Sequence, residues 1–243
     1  MIKRLDLHQL LDSGSFDHAV VLTYTFDPIF FEEYCLARFK GLHNCKSISV
    51  LLDRGTYDKI VIVPGVFHPK LVLLTSANKG HLLIGSANFT RPGLTANAEL
   101  VGSFEFKLKE KETFVPVLRS AFAFIQAIAK RWPTRALISN LREMYLDSPW
   151  LESDGREHAD IRLMTNLENP LLTQLVSEVG RSIQSLSIVS RYFDTGTNVL
   201  EQLLNKTAAK KVRLYTQNRY TNLPPSWLKH PLVKSGQVEL VSD

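Results

Sequence analysis

Apolar and polar positions alternate in kind along this chain. Residues 18–26 form an apolar, β-branched run that predicts a buried strand. Asp27 and Pro28 follow, an N-cap beside a proline suited to a first helical position, and the expected helix continues to Gly41. Ser47 to Leu52 and Ile60 to Val63 read as further strands. Pro69 to Thr75 and His81 to Ile84 read as a hairpin about residues 76–80, and Glu99 to Phe106 as another strand. From Glu112 to Leu146 the period becomes helical, with Pro133 dividing two helices. Buried strands joined by a helical crossover imply an α/β fold, a mixed sheet with helices on both faces.

Polar, turn-rich residues 147–160 form the best linker, and the pattern then restarts. Residues 185–194 line up with residues 18–27, and both stretches end in Phe-Asp. Residues 197–204 replace the first helix, residues 211–215 the second strand, and residues 238–241 the strand at Ile60 to Val63. The expected organisation is a first repeat over residues 1–146, a linker over 147–160, and over 161–243 an incomplete second copy at the C-terminus.

The chain has 243 residues, 44% hydrophobic and 22% charged, a globular balance. No apolar run approaches the roughly 18 residues that span a bilayer. Asp6 and His8 stand where a signal peptide would be apolar, so the expectation is a cytoplasmic protein without a membrane partner. Cys35 and Cys45 read as reduced thiols, and Cys45 with His43 lacks two further ligands for zinc. The net charge of +5 biases the chain mildly toward polyanions, and Lys206 to Arg213 is a small basic cluster.

Candidate chemistry gathers around the hairpin. His68 and Lys70, two residues apart, point the same way if they lie on one strand, and Gly85-Ser86-Ala87-Asn88 closes the next. An imidazole, an ammonium, a hydroxyl and a carboxamide can then share a pocket. That set suits attack on phosphorus by a histidine, with fixed donors around the charge that builds on the phosphoryl oxygens. No clustered acidic set of the two-metal type is visible, and no metal or other cofactor is expected.

His68-Pro69-Lys70 followed by Gly85-Ser86-Ala87-Asn88, with Asn97-Ala98-Glu99 beyond, resembles the HxK and GSxN motifs of the phospholipase D superfamily. The flanking residues look most like its restriction-endonuclease and helicase-associated nuclease branch. The resemblance implies a phospholipase D-like sheet, with His68 as nucleophile through a phosphohistidine. It implies Lys70 and Asn88 as donors to the phosphoryl oxygens, and Ser86 as an orienting hydroxyl. Glu99 would hold the other ring nitrogen of His68. Thr90 and Arg91 are candidates for a neighbouring phosphate, and Asp53 stands at a strand end near the presumed site. One departure is Thr75, where the superfamily often has aspartate, which leans away from the lipases.

One HxK supplies half of the family's site, because a second histidine must protonate the leaving oxygen. A homodimer mate or a missing C-terminal repeat would supply it. His230 has the wrong spacing for this role and reads as a loop residue. The expected function is a metal-independent phosphodiesterase acting on DNA ahead of RNA, in a defence or helicase-linked setting, with a helicase as possible partner. The alternatives are a lipid phosphodiesterase or phosphatidyl transferase, and a catalytically inactive nucleic-acid-binding assembly module.

Overall fold

The computed structural model describes residue 11 and residues 14–53, 67–109, 113–152, 161–180, 182–194, 197–217 and 220–242. Its contacts divide the chain into two units, Met1–Leu163 and Met164–Asp243. The strand expected at Ile60 to Val63 lies outside the described residues.

Among the described residues the first unit has five strands: β1 (His18–Thr23), β2 (Ser47–Leu52), β3 (Leu71–Ser76), β4 (Lys79–Gly85) and β5 (Val101–Lys107). Their order is β2-β1-β3-β4-β5. β1 and β2 run parallel, and the other neighbouring pairs are antiparallel. Every residue of β1 and β3 is buried, so the near-continuous apolar runs of these central strands reflect cover on both sides.

Alternate positions divide that cover. Ala19, Val21, Val72, Leu74 and Leu83 pack with Phe30, Phe31 and Cys35 of helix α1, residues 28–38, and with Leu42 of the short helix α2 (Lys40–His43). α1 starts as its sequence predicts: Asp27 accepts a hydrogen bond from the Phe30 N–H at 3.0 Å, and Pro28 opens the first turn. Its middle, Phe31–Cys35, widens to a π-turn, and Phe39 interrupts the helix in an extended conformation. The other face of the sheet takes α4 (Val115–Arg131), which packs on β3, β4 and β5, and α5 (Arg135–Asp147), which packs on β2 and β3. Between β4 and β5 lies the short α3 (Arg91–Thr95). Leu73, Leu82, Leu118 and Ile125 are fully buried, each contributing about 2 kcal/mol of burial.

The hairpin turn is tighter than its sequence suggests, with Ala77 and Asn78 alone between the strands. The expected linker starts as packed structure. Asp147 is the last residue of α5, and a 3-10 turn at Pro149–Leu151 buries Trp150, whose indole donates to the Ser76 carbonyl at 2.8 Å. Asp147 also accepts from buried His18 at 3.1 Å, while the other His18 nitrogen meets Ser47 Oγ at 2.8 Å. These bonds tie the end of α5 to the start of β1 and β2.

The second unit holds a parallel sheet, β6 (Ser185–Val189), β7 (Lys211–Thr216) and β8 (Val238–Ser242), in that order. Leu200 and Leu204 of α7 (Asn198–Thr207) pack with Val212, Leu214, Trp227 and Val238. A further helix, α6 (Leu171–Val179), precedes β6, and the one-turn α8 (Pro231–Lys234) precedes β8. Among the described residues no helix is long and apolar enough to cross a membrane.

Candidate active site

The chemistry-bearing residues come from three stretches that meet at one end of the first sheet. β1 pairs antiparallel with β3 so that Leu22 faces Leu71. Just past that pair lie Thr23, Tyr24 and Thr25 on one side and Lys70, Pro69 and His68 on the other. The ladder begins at Leu71, so His68 and Lys70 precede the strand on which their spacing was expected to lie. β4 ends at Gly85, opposite Val101. The Gly85 N–H donates to the Lys70 carbonyl at 3.1 Å, and the Ser86 N–H to the Leu100 carbonyl at 3.0 Å. A Cβ on Gly85 would stand 2.1 Å from the Leu100 oxygen, so only glycine allows this approach.

Residues 23–27 connect the two sides. The Tyr24 ring lies against the His68 imidazole, centroids 4.4 Å apart and tilted by 45°. The Thr25 N–H donates to Asn88 Oδ1 at 3.4 Å, which orients the carboxamide with its NH2 as the available donor. Thr23 Oγ1 accepts from the Phe89 N–H at 2.9 Å, and the Asp27 N–H donates to the Phe89 carbonyl.

Lys70 Nζ donates toward the imidazole, 3.0 Å from Nδ1 and 3.3 Å from Nε2. Glu99 has partners other than those its sequence position implied. Its carboxylate accepts from Ser86 Oγ at 2.5 Å and from Asn97 Nδ2 at 3.1 Å, and among the described residues it makes no hydrogen bond to His68. Ser86 Oγ in turn accepts from the Leu100 N–H at 3.0 Å. Asp53 accepts from the N–H of Phe67, the residue before His68, at 2.8 Å.

Burial, then the Lys70 cation, pushes His68 below the ordinary histidine value, against an opposing pull from Asp53. Lys70 is likewise lowered by burial, with Glu99 opposing. The His68 shift favours a neutral, nucleophilic imidazole.

Thr90 and Arg91 follow as the N-cap and first residue of α3. Thr90 Oγ1 accepts from the Gly93 N–H at 3.3 Å, and Arg91 is exposed. Thr75 is fully buried inside β3. In the second unit, His230 stacks on Trp227 and caps α8 through Nδ1, while Arg213 of the basic cluster pairs with Glu239 at 3.0 Å. Among the described residues no group of three or more histidine, cysteine or acidic side chains could hold a metal ion. Tyr24 and Thr25 escaped the sequence reading. The available signal was their place just past a strand that leads into the site.

No family model matches the sequence, and the curated proteins hold no significant relative. Solved structures do match, and with the one that aligns at a TM-score of 0.50 the chain shares a mixed α/β fold. A variant of yeast tyrosyl-DNA phosphodiesterase aligns with a TM-score of 0.50 at 10% identity, over 86% of this chain and 60% of that one. Another structure of the yeast enzyme gives 0.49 at 10% identity, over 97% of this chain and 68% of that one. Nuc from Salmonella typhimurium, a phospholipase D family member, gives 0.33 at 14% identity over 58% of this chain and 85% of its own.

Proposed function

We propose that this chain is a metal-independent phosphodiesterase that cleaves DNA through a phosphohistidine on His68. The observation that carries the reading is the convergence on residues 24–25: Tyr24 touches His68 and Thr25 holds Asn88, with Lys70 on the imidazole. A neutral ring nitrogen of His68 attacks phosphorus, a P–N bond forms and the P–O bond to the leaving group breaks. Lys70 and the Asn88 carboxamide donate to the non-bridging oxygens as charge accumulates there. Ser86 orients Glu99, whose charge keeps Lys70 protonated; Thr90 and Arg91 flank the next phosphate along the strand. The departing oxygen takes a proton from a second histidine, which then activates the water that releases His68.

That second histidine comes from a second HxK motif. Two features support reading the second unit as the start of a repeat that carries it. β6 pairs with β7 in parallel from Ser185↔Lys211, as β1 pairs with β2 from His18↔Ser47, at the positions the sequence aligned. Asp194 accepts from the Asn198 N–H at 2.7 Å at the entry to α7, as Asp27 does for α1. A homodimer mate presenting its own His68 is the other source. The DNA substrate and the defence or helicase-linked setting rest on the motif resemblance.

The test is incubation of the chain and of His68→Ala with single- and double-stranded DNA in EDTA. Cleavage lost in the variant supports the reading, with two copies of one motif completing the site. Absence of cleavage by both, persisting in a chain extended beyond Asp243, overturns it.

A further inference from the structure

We propose that Tyr24 is a positioning residue of this site: its ring sets the tilt of the His68 imidazole and keeps the Lys70 ammonium beside it. The inference rests on the phosphodiesterase reading above. His68 is exposed and precedes its strand, so no ladder pairing fixes its side chain. The Tyr24 ring supplies the missing constraint, at 4.4 Å between centroids and 45°. Lys70 Nζ stands 5.7 Å from the centre of the same ring and 3.0 Å from His68 Nδ1, so the three side chains form one cluster.

The backbone makes the placement firm. Tyr24 stands one residue past β1, and its ring meets the His68 imidazole directly. The next residue is held to Asn88 by its N–H, and Phe26 bridges to Phe89. The backbone that follows Tyr24 is therefore tied to the segment that carries the carboxamide donor. The ring also covers one side of an otherwise exposed imidazole, in keeping with burial as the chief cause of its lowered basicity. An aromatic ring does this with few rotatable bonds, whereas a flexible aliphatic chain would not hold the plane.

In this arrangement the nucleophilic nitrogen reaches phosphorus already aligned, with the ammonium donor at its side. Loss of alignment acts on the chemical step rather than on substrate binding, so kcat falls and KM stays.

The experiment compares Tyr24→Phe, Tyr24→Leu and Tyr24→Ala in the full chain by NMR of the His68 imidazole, with backbone amide spectra as the check on folding. Wild type and Tyr24→Phe are expected to show the same ring-current-displaced imidazole signals. Tyr24→Leu keeps the packing volume and loses that displacement, and in Tyr24→Ala the titration midpoint also moves up toward the ordinary histidine value. On a cleaved DNA substrate, Tyr24→Leu lowers kcat on the order of tenfold with KM unchanged. Imidazole signals and midpoint in the leucine and alanine variants that match wild type overturn the proposal. The NMR readout needs no turnover. A chain that shows these shifts and cleaves nothing refutes the nuclease and leaves the Tyr24–His68 contact standing.

Discussion

Ser86 Oγ donates to the Glu99 carboxylate at 2.5 Å and accepts from the Leu100 N–H at 3.0 Å, so one hydroxyl fixes both ends of the loop between β4 and β5. The bond holds Glu99 where its charge reaches Lys70. Ser86→Ala is expected to lower single-turnover cleavage about tenfold and to leave the unfolding midpoint nearly unchanged, since Ser86 is exposed. A large drop in the midpoint would assign the bond to folding instead.

His68 predicts a pH dependence with a definite sign. Its neutral form is the nucleophile, and burial followed by the Lys70 cation depresses its basicity. The rate of phosphoenzyme formation should therefore rise with pH, with the midpoint of the rise below the ordinary histidine midpoint. Lys70→Met removes the cation, so the rising limb moves to higher pH. A limb that stays in place or moves lower contradicts the assignment of Lys70 as the neighbouring charge.

Gly85 has no room for a side chain. A methyl group there meets the Leu100 carbonyl and the Val101 Cα, both backbone and both at the site. Gly85→Ala is expected to cost about 2 kcal/mol in chemical denaturation, through a forced shift in the β4–β5 pairing. Backbone amide signals at residues 99–101 should move, and an unchanged spectrum would show that the loop yields easily.

Thr75 is fully buried in β3, and among the described residues its hydroxyl has no hydrogen-bond partner. Thr75→Val removes that orphan group at nearly constant volume, so stability should rise by about 1 kcal/mol. Thr75→Asp would bury a carboxylate in the central sheet and should lower expression or unfold the chain. Denaturant titration of the valine variant decides the first point.

Burial, with Asp27 acting second, pushes the Cys35 thiol up to about 12; burial and then Asp17 do the same for Cys45. Neither forms a thiolate at neutral pH. Both should react slowly with a disulfide reagent in the native chain and at once in denaturant. Rapid native labelling of one thiol would show that its segment opens.

Much of this arrangement was legible beforehand because local rules and tertiary packing agree. Asp27 and Pro28 are an intrinsic helix start, and burial on both faces leaves β1 and β3 uniformly apolar. The closeness of His68 and Lys70 was legible because the motif carries its own spacing. The site was not legible where contact depends on register. Glu99 was placed on the imidazole, yet Ser86 captures it across the loop. Asp53, fourteen positions before Phe67, accepts its N–H, a contact that no local pattern announces. Trp150 lies in a stretch whose polar neighbours suggest a linker, and its burial follows from the glycine at position 80, which leaves a groove for the indole.

β5 is the outermost strand of the described sheet, with β4 as its one partner there. Edge strands fray before central ones. A fluctuation that lifts the start of β5 carries off Leu100 and Glu99 and releases Ser86, while His68 and Lys70 stay anchored to a central strand. The site is thus built with unequal persistence: the attacking group outlasts the groups that stabilise what it attacks. Warming the chain should abolish turnover before it exposes the imidazole, and hydrogen exchange at Leu100 should report the loss first.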